Sequence, residues 1–270
     1  MKLGIIGSWN ETGFIYASAK NLDFLEFCVN GGCDTDEFAA QTDNLNKWIK
    51  QYGVAVGSMG RWGETRINDD GTVIEAARKS DLTLIESAAK IGCPVYNCGV
   101  NYIESKTYEE NIEIAVKYLI ELVKFGKSKG VKVAVYNCDW SNFIVNPKAW
   151  EKILPRVEGL GIKYDVSHTM GRNADYFAEL LDYAKYIYHC HVKGVVKING
   201  KDYDNAPAGL DMINWGAVMD MLYTNKYTGG LSIEPHSSFW TGRRGEWGID
   251  FTINYMSQFL MPDDLDDLWD

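Results

Sequence analysis

Three short runs carry the side chains able to hold a cation or move a proton. They read Ile162-Lys163-Tyr164-Asp165-Val166-Ser167-His168, Tyr188-His189-Cys190-His191-Val192-Lys193 and Leu231-Ser232-Ile233-Glu234-Pro235-His236. All four histidines of the chain fall in them, each near a carboxylate or a lysine. Carboxylate and imidazole are the donor types of a divalent-metal site that leaves positions open for substrate. Without a metal, the same groups make a buried cluster of ion pairs at strand ends. His168 has three roles open to it: acid or base, a further metal ligand, or a donor that orients Asp165. Each run is strand-like and delivers its polar residues at or near one end, as the mouth of a barrel requires.

The elements that must position these groups alternate regularly. Apolar, β-branched runs predict strands over 2–7, 24–29, 54–59, 95–99, 132–137, 163–166, 186–192 and 230–234. Helices are predicted over 36–52, 73–91, 107–129, 147–159, 174–184, 215–225 and 248–260. The clearest is 107–129, where Ile112, Ala115, Val116, Leu119, Ile120 and Val123 form an apolar stripe and Gly130 ends the helix. Strand–helix alternation over a chain of 270 residues predicts an α/β fold, a closed (β/α)8 TIM barrel. An open doubly wound sheet is the rival, but no G-x-G-x-x-G follows the first strand. No linker-like segment interrupts the pattern. One domain is expected over 1–262, with an acidic tail over 263–270 that is either solvated or docked at a subunit contact.

A net charge of −10 argues against nucleic acid as a partner, since phosphate binding needs clustered lysine and arginine. No run approaches the roughly 20 apolar residues of a membrane helix. The apolar start Met1–Gly7 is too short for a signal peptide and reads as a first strand. Six cysteines without C-x-x-C spacing, most of them in or beside predicted strands, suit reduced thiols, so a cytoplasmic location is expected.

Functional groups of such barrels sit at the carboxyl ends of strands. Those ends here carry Trp9, Arg61, Trp62, Asn97, Tyr136, Asn137, Asp165, His168, His191, Lys193, Glu234 and His236. Aromatic faces with amides and charges suit a sugar-sized, small-molecule carbohydrate substrate. Trp9, Arg61 and Trp62 read either as a substrate-stacking wall or as packing. The segment from Ser237 to Gly245, with Trp240, Arg243 and Arg244, reads as a lid, as a phosphate grip or as a solvated loop.

The order of these strand ends resembles the xylose-isomerase-like barrels: sugar (phosphate) isomerases and epimerases, tagatose- and psicose-type 3-epimerases, and inosose dehydratases. Asp165 and His168 match an Asp-x-x-His on the sixth strand; His189, His191 and Lys193 match a His-x-His-x-Lys on the seventh. Pro207, Gly209 and Trp215 match the following Pro-x-Gly-x-x-x-x-x-Trp segment, and Tyr227, Gly229, Gly230 and Glu234 match the approach to the eighth strand. The resemblance is dense in the C-terminal half and architectural in the N-terminal half. It implies a divalent metal, manganese first and magnesium, cobalt or zinc as alternatives, held by Asp165, His191 and Glu234. His189, one layer deeper, is read as a satisfied core histidine, and Cys190 as packing toward the helices.

The pattern breaks on the fifth strand, where many members carry a metal-binding glutamate and this chain has Tyr136; Gly194 likewise replaces a usual aspartate. A phenol is a poor ligand and base at neutral pH. The expected activity is a metal-dependent isomerase or epimerase acting by proton transfer next to a carbonyl. Glu234 or His168 would move the proton, and Lys193 or Tyr136 would steady the enediolate. Alternatives are a lyase or dehydratase on a keto-sugar, inosose or 3-oxo-glycoside, and a sugar-binding subunit with a decayed metal site. A nuclease on the same barrel needs more histidines and a basic groove. Such barrels often pair, so a homo-oligomer is also possible.

Overall fold

The computed structural model describes residues 1–262; the acidic segment 263–270 lies outside the described residues. Strands β1 (Lys2–Ile6), β2 (Phe24–Cys28), β3 (Ala55–Gly60), β4 (Val95–Cys98), β5 (Lys132–Tyr136), β6 (Leu160–Asp165) and β7 (Ile187–Val192) are followed by a hairpin, β8 (Val196–Ile198) and β9 (Lys201–Asp204), and by β10 (Gly230–Ile233). The hairpin stands apart. The other eight strands close in the order β1-β10-β7-β6-β5-β4-β3-β2, all pairs parallel. The predicted TIM barrel is therefore the fold.

Side chains alternate between barrel axis and helix layer, which explains the burial of charged residues inside strands. On β6, Tyr164 faces outward to the Trp150 ring, while Lys163 and Asp165 face the axis; every residue of the strand is buried. The floor is filled by Phe24, which packs edge-on against His189. A Cβ at Gly4 or Gly230 would come within 2.4 or 2.7 Å of the Phe24 ring, so both positions need glycine for close approach.

The helix Tyr108–Lys129 begins with a reciprocal capping box between Thr107 and Glu110 and ends at Gly130, whose φ is 74°. Elsewhere the boundaries shift. The predicted helix 36–52 is two helices, Thr35–Ala40 and Thr42–Tyr52, and the last helix starts six residues early, spanning Gly242–Ser257. Three elements have no counterpart in the sequence reading. Glu11–Ala19 buries Phe14 and Ala17 yet exposes Ile15, so no clean apolar stripe marks it. The turn-long helix Val166–Gly171 and the β8–β9 hairpin are too short for periodicity to register. All six cysteines are unpaired, and among the described residues no helix is long and apolar enough to cross a membrane.

One buried network holds the segment after β3, which carries Trp62. Asp81 receives Arg66 through two nitrogens at 2.7 and 2.9 Å and the hydroxyls of Tyr96 and Tyr118, each at 2.7 Å. The same guanidinium donates to the carbonyls of Arg61 and Glu64, clamping the loop over the mouth. Removing one partner strands a buried charge, at a cost of about 3–5 kcal/mol. Asp81→Ala is expected to lower the urea unfolding midpoint by far more than Tyr96→Phe, which loses one hydrogen bond worth about 1 kcal/mol. Equal shifts in the two denaturation curves would contradict the clamp.

Candidate active site

At the carboxyl ends of the strands lies a cavity of about 530 Å³. Trp62, Trp140, Ile6 and Pro235 form its apolar side, and Lys163, His168, His191, Lys193 and Glu234 its charged side. The last barrel strand contributes Glu234 one residue past its end, β7 contributes Lys193 likewise, and β6 ends on Asp165.

Asp165, His191 and Glu234 do converge, but a fourth group that the sequence reading overlooked organises them. Glu26, facing the axis from β2, accepts from His189 Nε2 and His191 Nε2 through the same carboxylate oxygen, both at 2.8 Å. His189 is fully buried, one layer below His191; its Nε2 meets Glu26 while its Nδ1 has no hydrogen-bond partner. His191 Nδ1 is 2.6 Å from Glu234 Oε2. Both ring nitrogens of His191 thus face carboxylates, and two ionised acceptors require two N–H donors, the imidazolium form. Burial opposes that charge, but Glu26 and the hydrogen bonds to Glu234 and Glu26 outweigh it, raising the His191 pKa. Burial also opposes charge on Glu26, yet the two histidines hold it ionised, well below the usual carboxylate range. His189 is lowered, burial being the main cause, and stays neutral.

Two lysines complete the cluster. Lys193 Nζ lies 3.1 Å from Asp165 Oδ2, 3.4 Å from Glu234 Oε2 and 3.1 Å from His168 Nε2. Lys163, missed like Glu26 by the sequence reading, points inward beneath it with Nζ 4.0 Å from Asp165 Oδ2. Desolvation works against ammonium at Lys193, but the two carboxylates, Asp165 foremost, raise its pKa. Desolvation likewise opposes charge on Asp165 and Glu234, and Lys193 is the leading group that keeps both low. Three carboxylates (Glu26, Asp165, Glu234) are matched by three cations (Lys163, Lys193, His191). Each sits in register with its neighbours: Asp165 pairs across to His191, and Lys163 to both His189 and Tyr136.

His168 stands at the rim on the short helix Val166–Gly171. Asp165 Oδ1 caps that helix, accepting from the Ser167 amide at 2.9 Å and its hydroxyl at 2.7 Å, which leaves Oδ2 facing the cavity. Desolvation is the main cause that lowers the His168 pKa to about 4, with Lys193 adding to it and Asp165 opposing. The ring is a neutral base. Asn137 does not line this cavity; it pins Asp165, accepting from its amide and donating to its carbonyl, both at 2.9 Å.

Asp165, His191 and Glu234 offer donor atoms within 4.8 Å of one another, as do Glu26, His189 and His191. The donor types suit a metal, but their commitments do not. His191 has both nitrogens on carboxylates, and an ammonium lies against Asp165 and Glu234. In the Glu26 group, one oxygen already serves two rings. In this arrangement the residues do not fit a divalent cation.

Several predicted site residues have other work. The Tyr136 hydroxyl donates to the Trp140 carbonyl at 3.0 Å while its ring stacks on Trp62 at 5.5 Å; burial raises its pKa, so it neither ligates nor steadies an oxyanion here. Arg61 spends Nη1 on the carbonyls of Val29, Asn30 and Cys33 and pairs with Glu64, so it is a loop staple rather than a substrate contact. Asn97 is fully buried and donates to Ser58 at 2.6 Å. Trp9 packs edge-on against Phe38 and lines an adjoining cavity that shares Ile6 and Cys28 with this one. Trp240 stacks on Trp247 and lines an adjoining pocket that shares Glu234, Pro235 and His236 with this cavity. Arg244 covers the Phe239 ring, and neither Arg243 nor Arg244 lines the cavity. His236 does line it, with Nδ1 2.9 Å from Glu234 Oε1. Glu26 had one faint signal, a single charge at an inward position of an otherwise apolar strand; Lys163 shares its strand and face with Asp165.

A family model described as Xylose isomerase-like TIM barrel matches residues 14–252. No curated protein matches the sequence. Among solved structures, the chain is similar to the apo form of 3-keto-D-glucoside 4-epimerase YcjR from E. coli (TM-score 0.73, 14% identity, covering 96% of this chain and 99% of that one). It is similar to D-psicose 3-epimerase with D-tagatose from Clostridium cellulolyticum H10 (TM-score 0.75, 12% identity, 97% and 100% covered). A third, the IOLI protein with a bound zinc atom, aligns with TM-score 0.75 and 15% identity over 97% and 100% of the two chains. At such identities these likenesses speak for the fold alone. The matched span and the closed eight-stranded barrel make this chain a member of the xylose isomerase-like TIM barrel family.

Proposed function

We propose that this chain is a carbohydrate isomerase or epimerase that moves a proton at the carbon next to a carbonyl. The observation that carries the reading is the pairing of a neutral imidazole, His168, with an ionised carboxylate, Glu234, on either side of the Lys193 ammonium in one cavity. His168 or Glu234 takes the proton from the C–H, and the electron pair moves onto the carbonyl oxygen. Lys193 then donates hydrogen bonds to the resulting enediolate oxygen, and a proton returns at the other carbon or face. Trp62 and Trp140 offer the apolar faces against which a sugar's C–H side rests. Structures similar in fold include a 3-keto-D-glucoside 4-epimerase and a D-psicose 3-epimerase, which supports a keto-sugar as the substrate class.

A second reading, elimination from the same intermediate, is favoured by Tyr136: β5 offers no carboxylate there, so the bases on the two faces are unequal. A β-substituent would then leave as the carbonyl reforms. The metal-dependent version expected from sequence, with manganese foremost, has one observation in its favour: Asp165 Oδ2 is buried and accepts no directed hydrogen bond. That version requires Lys193 to withdraw from the carboxylates.

Incubating ketoses and 3-keto-glycosides in D2O and following the carbon next to the carbonyl by NMR tests the reading. Deuterium is expected to enter that position; a panel that exchanges nowhere above background sinks it. His168→Gln is expected to lower kcat by about 10²–10⁴-fold with a smaller effect on KM. The pH profile follows from the lowered pKa: the basic form of His168 persists as pH falls and is lost only through about pH 4. The acidic limb of kcat is therefore expected near pH 4, and a limb near 6.5, the ordinary histidine value, would count against His168 as the base.

A further inference from the structure

We propose that the carbonyl-activating charge of this centre is supplied by its own lysines, Lys193 between Asp165 and Glu234 with Lys163 beneath, and that the centre binds no divalent cation. The word activating rests on the proton-transfer reading above; the exclusion of a cation rests on the side chains alone. Lys193 Nζ approaches the very carboxylate oxygens, Asp165 Oδ2 and Glu234 Oε2, that a metal would need. A flexible lysine can swing aside, but Lys163 has no such freedom. It sits within β6, is 1% exposed, and its ammonium lies 6.0 Å from the Trp62 ring centroid and 4.0 Å from Asp165 Oδ2.

A metal at the Asp165 oxygen would therefore meet the Lys163 ammonium 4.0 Å away. The remaining candidate ligands are also spent. His191 Nδ1 is held by Glu234 at 2.6 Å, and the Tyr136 hydroxyl is turned to the Trp140 carbonyl. Asp165 and Glu234, two of the carboxylates a dication would need, already face ammonium groups: Lys193 stands 3.1 Å from the first and 3.4 Å from the second, and Lys163 4.0 Å from the first. An ammonium suits the task physically, because its three N–H donors can follow an oxygen from carbonyl to enediolate while its charge stays fixed.

The test needs no substrate, so it fails or succeeds independently of the proposed reaction. Purified full-length protein is analysed for metals and titrated calorimetrically with MnCl2, CoCl2 and ZnCl2, alongside Lys193→Met and Lys163→Met checked for fold by circular dichroism. The wild type is expected to carry well under one ion per chain and to give no saturable heat. Removing either ammonium is expected to tighten binding by about tenfold or more for at least one of the ions. Stoichiometric metal in the wild type overturns the proposal, and so does a folded pair of variants that gains no affinity. Should neither variant fold, the wild-type measurement alone decides the question.

Discussion

Charge neutrality inside the barrel is the constraint on which this molecule's working end depends. Moving one carboxylate or ammonium out of water costs several kcal/mol even after relaxation, and the interior of this barrel holds six such groups. Glu26, Asp165, Glu234, Lys163, Lys193 and His191 are tolerable only as a set, each satisfied by neighbours of opposite sign. Such a set is also a preorganised field. Its hydrogen bonds are fixed by strand register before any ligand arrives, which is the condition under which donors stabilise developing charge most effectively.

The surrounding structure protects that geometry layer by layer. Phe24 seals the floor beneath His189, and Asn137 fixes the backbone of Asp165 from the adjacent strand. Asp165 itself serves two elements, ending β6 and capping the following helix, so its free oxygen is aimed by backbone rather than by rotamer choice alone. On the opposite wall, the Arg66–Asp81 network holds the loop that carries Trp62. Polar groups on strand ends and an aromatic wall on a clamped loop divide the labour between rigidity and shape.

The departure from the family's pattern at Tyr136 is coordinated with Lys163 and with the position of Lys193. Tyrosine at that strand end turns away and stacks on Trp62; a lysine two residues before Asp165 occupies the neighbouring inward position in register with it. A neutral phenol at that strand end and an inward ammonium beside it both leave the mouth more positive than carboxylates at those positions would. A cluster altered that way has less attraction for a dication and more for the oxyanion of a reacting sugar.

Residue types and periodicity were enough to determine the barrel, because alternation and strand–helix order are local properties, and the family resemblance singled out Asp165, His191 and Glu234, which do converge. Helix boundaries near 36–52 and 248–260 slipped because capping and loop packing decide them. What only the tertiary structure decided was partnership. Glu26 on β2 meets two histidines 163 and 165 residues later in the chain, which no spacing rule connects. Whether a carboxylate faces a metal, a lysine or an imidazolium depends on which side chains share the barrel's interior, and closure of the sheet is what brings them together. Arg61 and Tyr136 taught the same lesson in reverse: both stand at strand ends, yet nearby carbonyls claimed their donors.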